Sequence, residues 1–119
     1  MKIGEISRLS DITTLVPPQT SELEISGGYA SDLLSCVMAR ARAGNIWLTL
    51  QTHANVVAVA SLLELAGVII TECSDQSKID ADTIAKARAE NIALFATPLT
   101  TYTIAARLAR AGVPGIDEA

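Results

Sequence analysis

Three short stretches of this 119-residue sequence carry side chains of the kinds that bind small molecules. Gln51-Thr52-His53 places an amide, a hydroxyl and the sole imidazole of the chain in consecutive positions. His53 is either a ligand contact or a helix-start residue bonded to backbone, since imidazole serves both roles near neutral pH. Ser26-Gly27-Gly28, with Asp32 shortly after it, is a candidate backbone cradle for an anion, because paired glycines permit positive φ and close approach. The alternative is a sharp strand-to-helix turn in which Asp32 complements the dipole of the following helix. Thr97, before Pro98, offers a third hydroxyl at a strand end, where it reads equally as a helix cap.

Catalytic sets are harder to find. The seven glycines, Gly4, Gly27, Gly28, Gly44, Gly67, Gly112 and Gly115, form neither GxGxxG nor GxxxxGK[ST]. No GxSxG elbow accompanies His53. Cys36 and Cys73 stand in no metal-ligand or disulfide spacing and read as free, mostly buried thiols. No cofactor and no metal are expected.

The elements that must hold these residues alternate in type. Ile46 to Leu50, Val68 to Thr71 and Ile92 to Ala96 are short β-prone runs, each followed by a polar loop and a helical pattern. That order fits a parallel sheet covered by helices. Gly67 fits a left-handed helix stop, Asp80 a helix cap, Asn91 a second left-handed stop, and Thr97-Pro98 the start of a last helix closing at Gly112. Asn55 reads as a helix cap. Further upstream, Ile3 to Leu9 reads as a short helix and Ile12 to Val16 as a strand ended by Pro17-Pro18. Leu23 to Ser26 reads as another strand, and a helix is expected from Ser31 or Asp32 to Ala43, ended by Gly44. In sheets of this kind ligands sit beyond the carboxyl ends of strands, so the loops Gln51 to Asn55, Thr71 to Asp80 and Thr97 to Thr100 qualify.

Composition narrows the function classes. Half of the residues are hydrophobic but only 3% are aromatic, so the core must be built from Ala, Val, Ile and Leu. Among the few aromatic side chains, Tyr29 and Trp47 read as core by default, and otherwise as an interface anchor or ligand platform. A net charge of -4 argues against binding a phosphate backbone, so no nucleic acid partner is expected. Val56 to Leu65 is too short to span a bilayer and is interrupted by Ser61 and Glu64, and the amino terminus resembles no export signal. A cytoplasmic single domain over residues 1–119 is expected, with 112–119 as a frayed tail.

Taken together, Ser26-Gly27-Gly28-Tyr29-Ala30-Ser31-Asp32-Leu33-Leu34-Ser35, Trp47-Leu48-Thr49-Leu50-Gln51-Thr52-His53 and Val57-Ala58-Val59-Ala60 resemble the DRTGG domain from about Ile3 to Gly112. The Asp-Arg pair of the family's name appears here as Glu22-Leu23, with Ser26 at the threonine position. The resemblance implies a three-layer α/β fold like the amino-terminal domain of HPr kinase/phosphorylase, a mostly parallel sheet of about five strands flanked by helices. It also implies a non-catalytic regulatory module of the sort found beside CBS domains in adenine-nucleotide-regulated pyrophosphatases, and contributing to dimer contacts there.

The expected function is therefore a homodimeric regulatory or sensory module that binds a partner protein or a small anionic ligand such as an adenine nucleotide. Ser26, Gly27, Gly28, Asp32, Gln51, Thr52, His53 and Thr97 are its candidate ligand-binding residues. Two other readings remain: a small enzyme using the His53 loop, and a pure dimerisation or scaffolding domain. A shared ligand site requires Gln51-His53 and Gly27-Gly28 to converge on one cavity.

Overall fold

The computed structural model describes residues 1–118. Five strands, β1 (Thr13–Val16), β2 (Gly27–Ala30), β3 (Asn45–Thr49), β4 (Gly67–Ile70) and β5 (Ala93–Ala96), form one sheet in the order β1-β5-β4-β3-β2. β2 to β5 run parallel, and β1 closes the edge antiparallel to β5 with a register break between Thr14 and Val16. Every residue of β3, β4 and β5 is buried, as a parallel sheet covered on both faces requires. No helix among the described residues is long and apolar enough to cross a membrane.

Crossover handedness dictates the layers. Each step from β2 to β5 adds a parallel strand on the same side of the previous one, so right-handed crossovers must place their helices on a single face. α1 (Leu34–Arg40), α2 (Asn55–Leu62) and α3 (Ala81–Ala89) lie there, burying Val37, Val57, Ala60 and Ala87 against Trp47, Val68, Ile70 and Leu94. Trp47 is fully buried, and its indole N–H donates to the Ser31 carbonyl at 2.8 Å, so it belongs to the core. α4 (Thr101–Arg110) has no parallel strand to reach and crosses beneath the opposite face. There Ile104 and Leu108 pack with Ile3 and Ile6 of a 3-10 helix (Ile3–Arg8) against Ile46, Ile69 and Phe95.

Several local expectations hold. Asn91 takes a left-handed φ of 57° after α3, and Gly112 ends α4 with φ 97°. The glycines elsewhere behave differently from their sequence reading. Gly27-Gly28 is neither a turn nor a nest: the pair opens strand β2, and Gly44 and Gly112 are the positive-φ glycines among the described residues. The strand expected at Leu23 to Ser26 is reduced to a bridge between Lys2 and Glu24. Gly67 is the first residue of β4, where a Cβ would lie 3.0 Å from the Ala93 carbonyl oxygen; Glu64, at φ 57°, takes the left-handed position after α2.

The helix caps also shift. Ala54, not Asn55, precedes α2. Asp80 stands at the N-cap of α3 but makes no side-chain cap bond. Thr100 caps α4 by accepting from the Thr103 N–H, while the Thr97 hydroxyl accepts from Leu99 N–H in the preceding turn. α1 stops at Arg40, three residues before Ala43.

Residues 112–118 lie against β2 rather than extending away from it. Val113 is buried, Gly28 N–H donates to the Pro114 carbonyl, Gly115 bridges Gly28, and Arg40 on α1 pairs with Asp117. The segment thus wraps the edge of β2 from the α4 face to the α1 face, shielding a strand edge that is otherwise open to foreign strands. Ala119 lies outside the described residues.

Gly44 holds φ 81°, and a Cβ there would sit 2.8 Å from the Ser26 hydroxyl oxygen. Because that hydroxyl is fixed by Ala43 and Asn45, it cannot swing away without losing two hydrogen bonds. Gly44→Ala is expected to destabilise the fold by about 2 kcal/mol, from backbone strain plus the displaced hydroxyl. Gly115→Ala, in open space, should stay within about 0.5 kcal/mol of the parent. Urea-denaturation midpoints with unchanged slopes check both.

Candidate functional site

The candidate residues divide between the two ends of the sheet. Gly27 pairs with Asn45 at the start of β3, whereas Gln51 to His53 follow its last residue, Thr49. The two groups therefore lie at opposite ends of the strands and form no shared cavity. Ser26 is engaged at the amino end, donating to the Ala43 carbonyl at 2.8 Å and accepting from the Asn45 amide at 3.0 Å. Gly28 forms part of a separate, largely apolar recess against Ala105, Leu108 and Val113.

At the carboxyl end, Asp32, Gln51, Thr52 and His53 come together, mainly as ties between loops. One Asp32 carboxylate oxygen accepts from the Thr49 hydroxyl at 2.9 Å and the Leu50 N–H at 2.7 Å, while the Gln51 amide donates to the Asp32 carbonyl. His53 Nδ1 lies 3.1 Å from Asp80 Oδ2 on an exposed surface. The Thr52 carbonyl accepts from the Thr83 hydroxyl at 2.7 Å. His53 thus bonds a side chain at the start of α3.

The topological switch lies between β4 and β5. The connection after β4 leads to α3 on one face and that after β5 to α4 on the other, the arrangement that opens a crevice in doubly wound sheets. Here the crevice is stitched shut. Glu72 N–H donates to the Leu99 carbonyl and Cys73 N–H to the Thr97 carbonyl, each at 2.9 Å, and the Thr71 and Thr101 hydroxyls meet at 2.6 Å. Thr97 is almost wholly buried in this seam, so its role is structural.

Open volume appears one strand over. A cavity of about 430 Å³ lies beyond the carboxyl ends of β3 and β4, walled by Leu50, Thr52, Ile70 and the segment Thr71 to Asp75 with Lys78. Its size falls within the range of small-molecule sites. Glu72, Asp75 and Lys78 supply the charges, and Leu50, Ile70 and Cys73 the apolar wall. Lys78 makes no ion pair among the described residues, and no buried side-chain polar atom there lacks a partner. Recognition must therefore come from the exposed loop groups. The Thr71 to Asp80 loop is among those that the strand-end rule picks out, but Glu72, Asp75 and Lys78 carry no spacing signature, and only Thr52 of the candidate residues lines the cavity.

The loop is shaped by Asp75, one of whose oxygens accepts from the Ser77 hydroxyl at 2.6 Å and the Ser77 N–H at 3.0 Å. These bonds, the hydroxyl first, hold the Asp75 carboxyl below the ordinary 3.8. Among the described residues no group of three or more His, Cys, Asp or Glu is placed to hold a metal.

Two outcomes follow from these contacts. Asp32→Ala strands the Leu50 N–H and the buried Thr49 hydroxyl, and should cost about 1–2 kcal/mol in chemical denaturation. For Asp75 the sign is that of a depressed carboxylate: its bonds favour the folded loop above the ordinary pKa and are lost as pH falls through the lower folded value. The Ser77 amide resonance should accordingly titrate with a midpoint below 3.8, and Asp75→Asn should remove that titration.

Neither a family model nor a curated protein matches this chain. Among solved structures, it is similar to the crystal structure of the CBS and DRTGG domains of the regulatory region of Clostridium perfringens pyrophosphatase, complexed with the activator diadenosine tetraphosphate. The TM-score is 0.70 at 18% sequence identity, over 93% of this chain and 46% of that one. The chain thus spans about half of the length of that relative. A likeness at this identity carries the fold, and it agrees with the resemblance in residues 26–35, 47–53 and 57–60: the chain has a DRTGG-like α/β fold.

Proposed function

We propose that this domain is a non-catalytic regulatory module that binds a small nucleotide-like ligand in the cavity beyond β3 and β4. The observation that carries the reading is the position of that cavity at strand ends, open, partly apolar and served by a lysine, Lys78, that makes no ion pair among the described residues. Its fold matches about half of a regulatory region crystallised with a nucleotide activator, which supports the same class of ligand. The small-enzyme reading has less support. His53 bonds Asp80 at the surface and does not line the cavity, and its one side-chain hydrogen-bond partner among the described residues is a carboxylate rather than a hydroxyl or thiol.

A regulatory module acts by linking ligand occupancy to a partner, and here we propose a second copy of the chain. Leu33 and Met38, both at α1, are large apolar side chains left exposed in the single chain, which supports this pairing. Sedimentation should then detect a species of twice the 12.5 kDa chain mass at micromolar concentration; monomer alone would remove the homodimer from the reading.

Ligand binding to the folded state raises its melting temperature by mass action. A nucleoside and nucleotide panel is expected to include nucleotides that raise Tm by several degrees, with their rise lost in Lys78→Glu and kept in His53→Ala. A panel without any stabilising compound, or a nucleotide shift indifferent to Lys78, contradicts the proposal.

A further inference from the structure

Charge inside the cavity limits which nucleotide it can hold. Two carboxylates, Glu72 and Asp75, face one ammonium, Lys78, so the lining carries net negative charge in a protein that is itself acidic. Asp75 stays ionised, because the Ser77 bonds favour its charged form. Only one of its oxygens is used in those bonds, which leaves the other free to accept from a ligand. Glu72 is exposed and receives only a long contact from the Thr101 hydroxyl at 3.5 Å.

We infer that the cavity is selective for a nucleoside or nucleoside monophosphate and discriminates against polyphosphates, a ligand class that rests on the nucleotide-binding reading above. The apolar wall of Leu50, Ile70 and Cys73 suits the face of a base. Carboxylates are acceptors only, so Glu72 and Asp75 match the vicinal hydroxyls of a ribose, which donate. Lys78 is a point charge with three donors and can bind one phosphate, offsetting part of its charge. A second and third phosphate would meet no further cation in the lining, and would instead add anionic charge beside two carboxylates. The volume of about 430 Å³ lies toward the small end of ligand sites, which agrees with a ligand of this size. This class differs from the diadenosine tetraphosphate bound in the similar regulatory region.

Calorimetric titration of the full chain with adenosine, AMP, ATP and diadenosine tetraphosphate, at low ionic strength and without divalent cations, tests the inference. AMP is expected to bind tightest, with ATP and diadenosine tetraphosphate weaker by about tenfold or more. Lys78→Ala should bring AMP down to the affinity of adenosine, and Asp75→Asn should narrow the gap between AMP and ATP. Equal or tighter binding of ATP or diadenosine tetraphosphate, weakened by Lys78→Ala, overturns the charge-limited selectivity while leaving the ligand site in place. Absence of binding by all four compounds, or binding unchanged in both variants, overturns the site as well.

Discussion

The burial of β3, β4 and β5 on both faces is the constraint on which the molecule depends. Thirteen consecutive-in-strand positions carry apolar or small polar side chains, and each is covered, by α1 to α3 on one side and by α4 with the 3-10 helix on the other. With so few aromatic residues, this coverage needs close approach of small side chains, and within the sheet Gly67 closely approaches Ala93 on the neighbouring strand. Polar groups inside such a sheet must be satisfied internally, and among the described residues they are.

Which strand end is available follows from how the seam between β4 and β5 is closed. A topological switch normally leaves a gap there. Two backbone hydrogen bonds and the Thr71–Thr101 hydroxyl contact fill it instead, and Thr97 is buried in the process. The Thr71 to Asp80 loop is anchored by this seam at its start and by the Thr52–Thr83 and His53–Asp80 contacts at its end. Between these anchors Thr71 to Asp75 and Lys78 line the cavity together with Leu50, Thr52 and Ile70. Asp32, tied to Thr49 and Leu50, fixes the opposite wall.

Much of the fold was legible in sequence because buried parallel strands are runs of β-branched and aliphatic residues, as at Val68-Ile69-Ile70, and because Asn91 and Gly112 mark helix ends chemically. The glycine misreadings share a cause. Glycine signals either positive φ or close packing, and only the tertiary neighbours distinguish them: Gly67 is a glycine of close approach, at Ala93, whereas Gly44 and Gly112 are those with positive φ. Thr97-Pro98 has the chemistry of a helix start, but the Thr100 cap wins three residues later because the seam with β4 engages Thr97 first. The candidate site was only partly legible. Strand-end loops could be named from the order of elements, yet Glu72, Asp75 and Lys78 become a site only through their placement beside Leu50 and Thr52.

The central claim is that the ligand surface of this DRTGG-like domain lies under the Thr71 to Asp80 loop rather than along the glycine pair of β2. Amide chemical-shift mapping of the full chain with AMP tests this most directly. The account predicts perturbations concentrated at Leu50, Thr52 and Thr71 to Lys78, with Gly27 and Gly28 unmoved. Perturbations centred on Gly27, Gly28 and the 112–118 segment would contradict it.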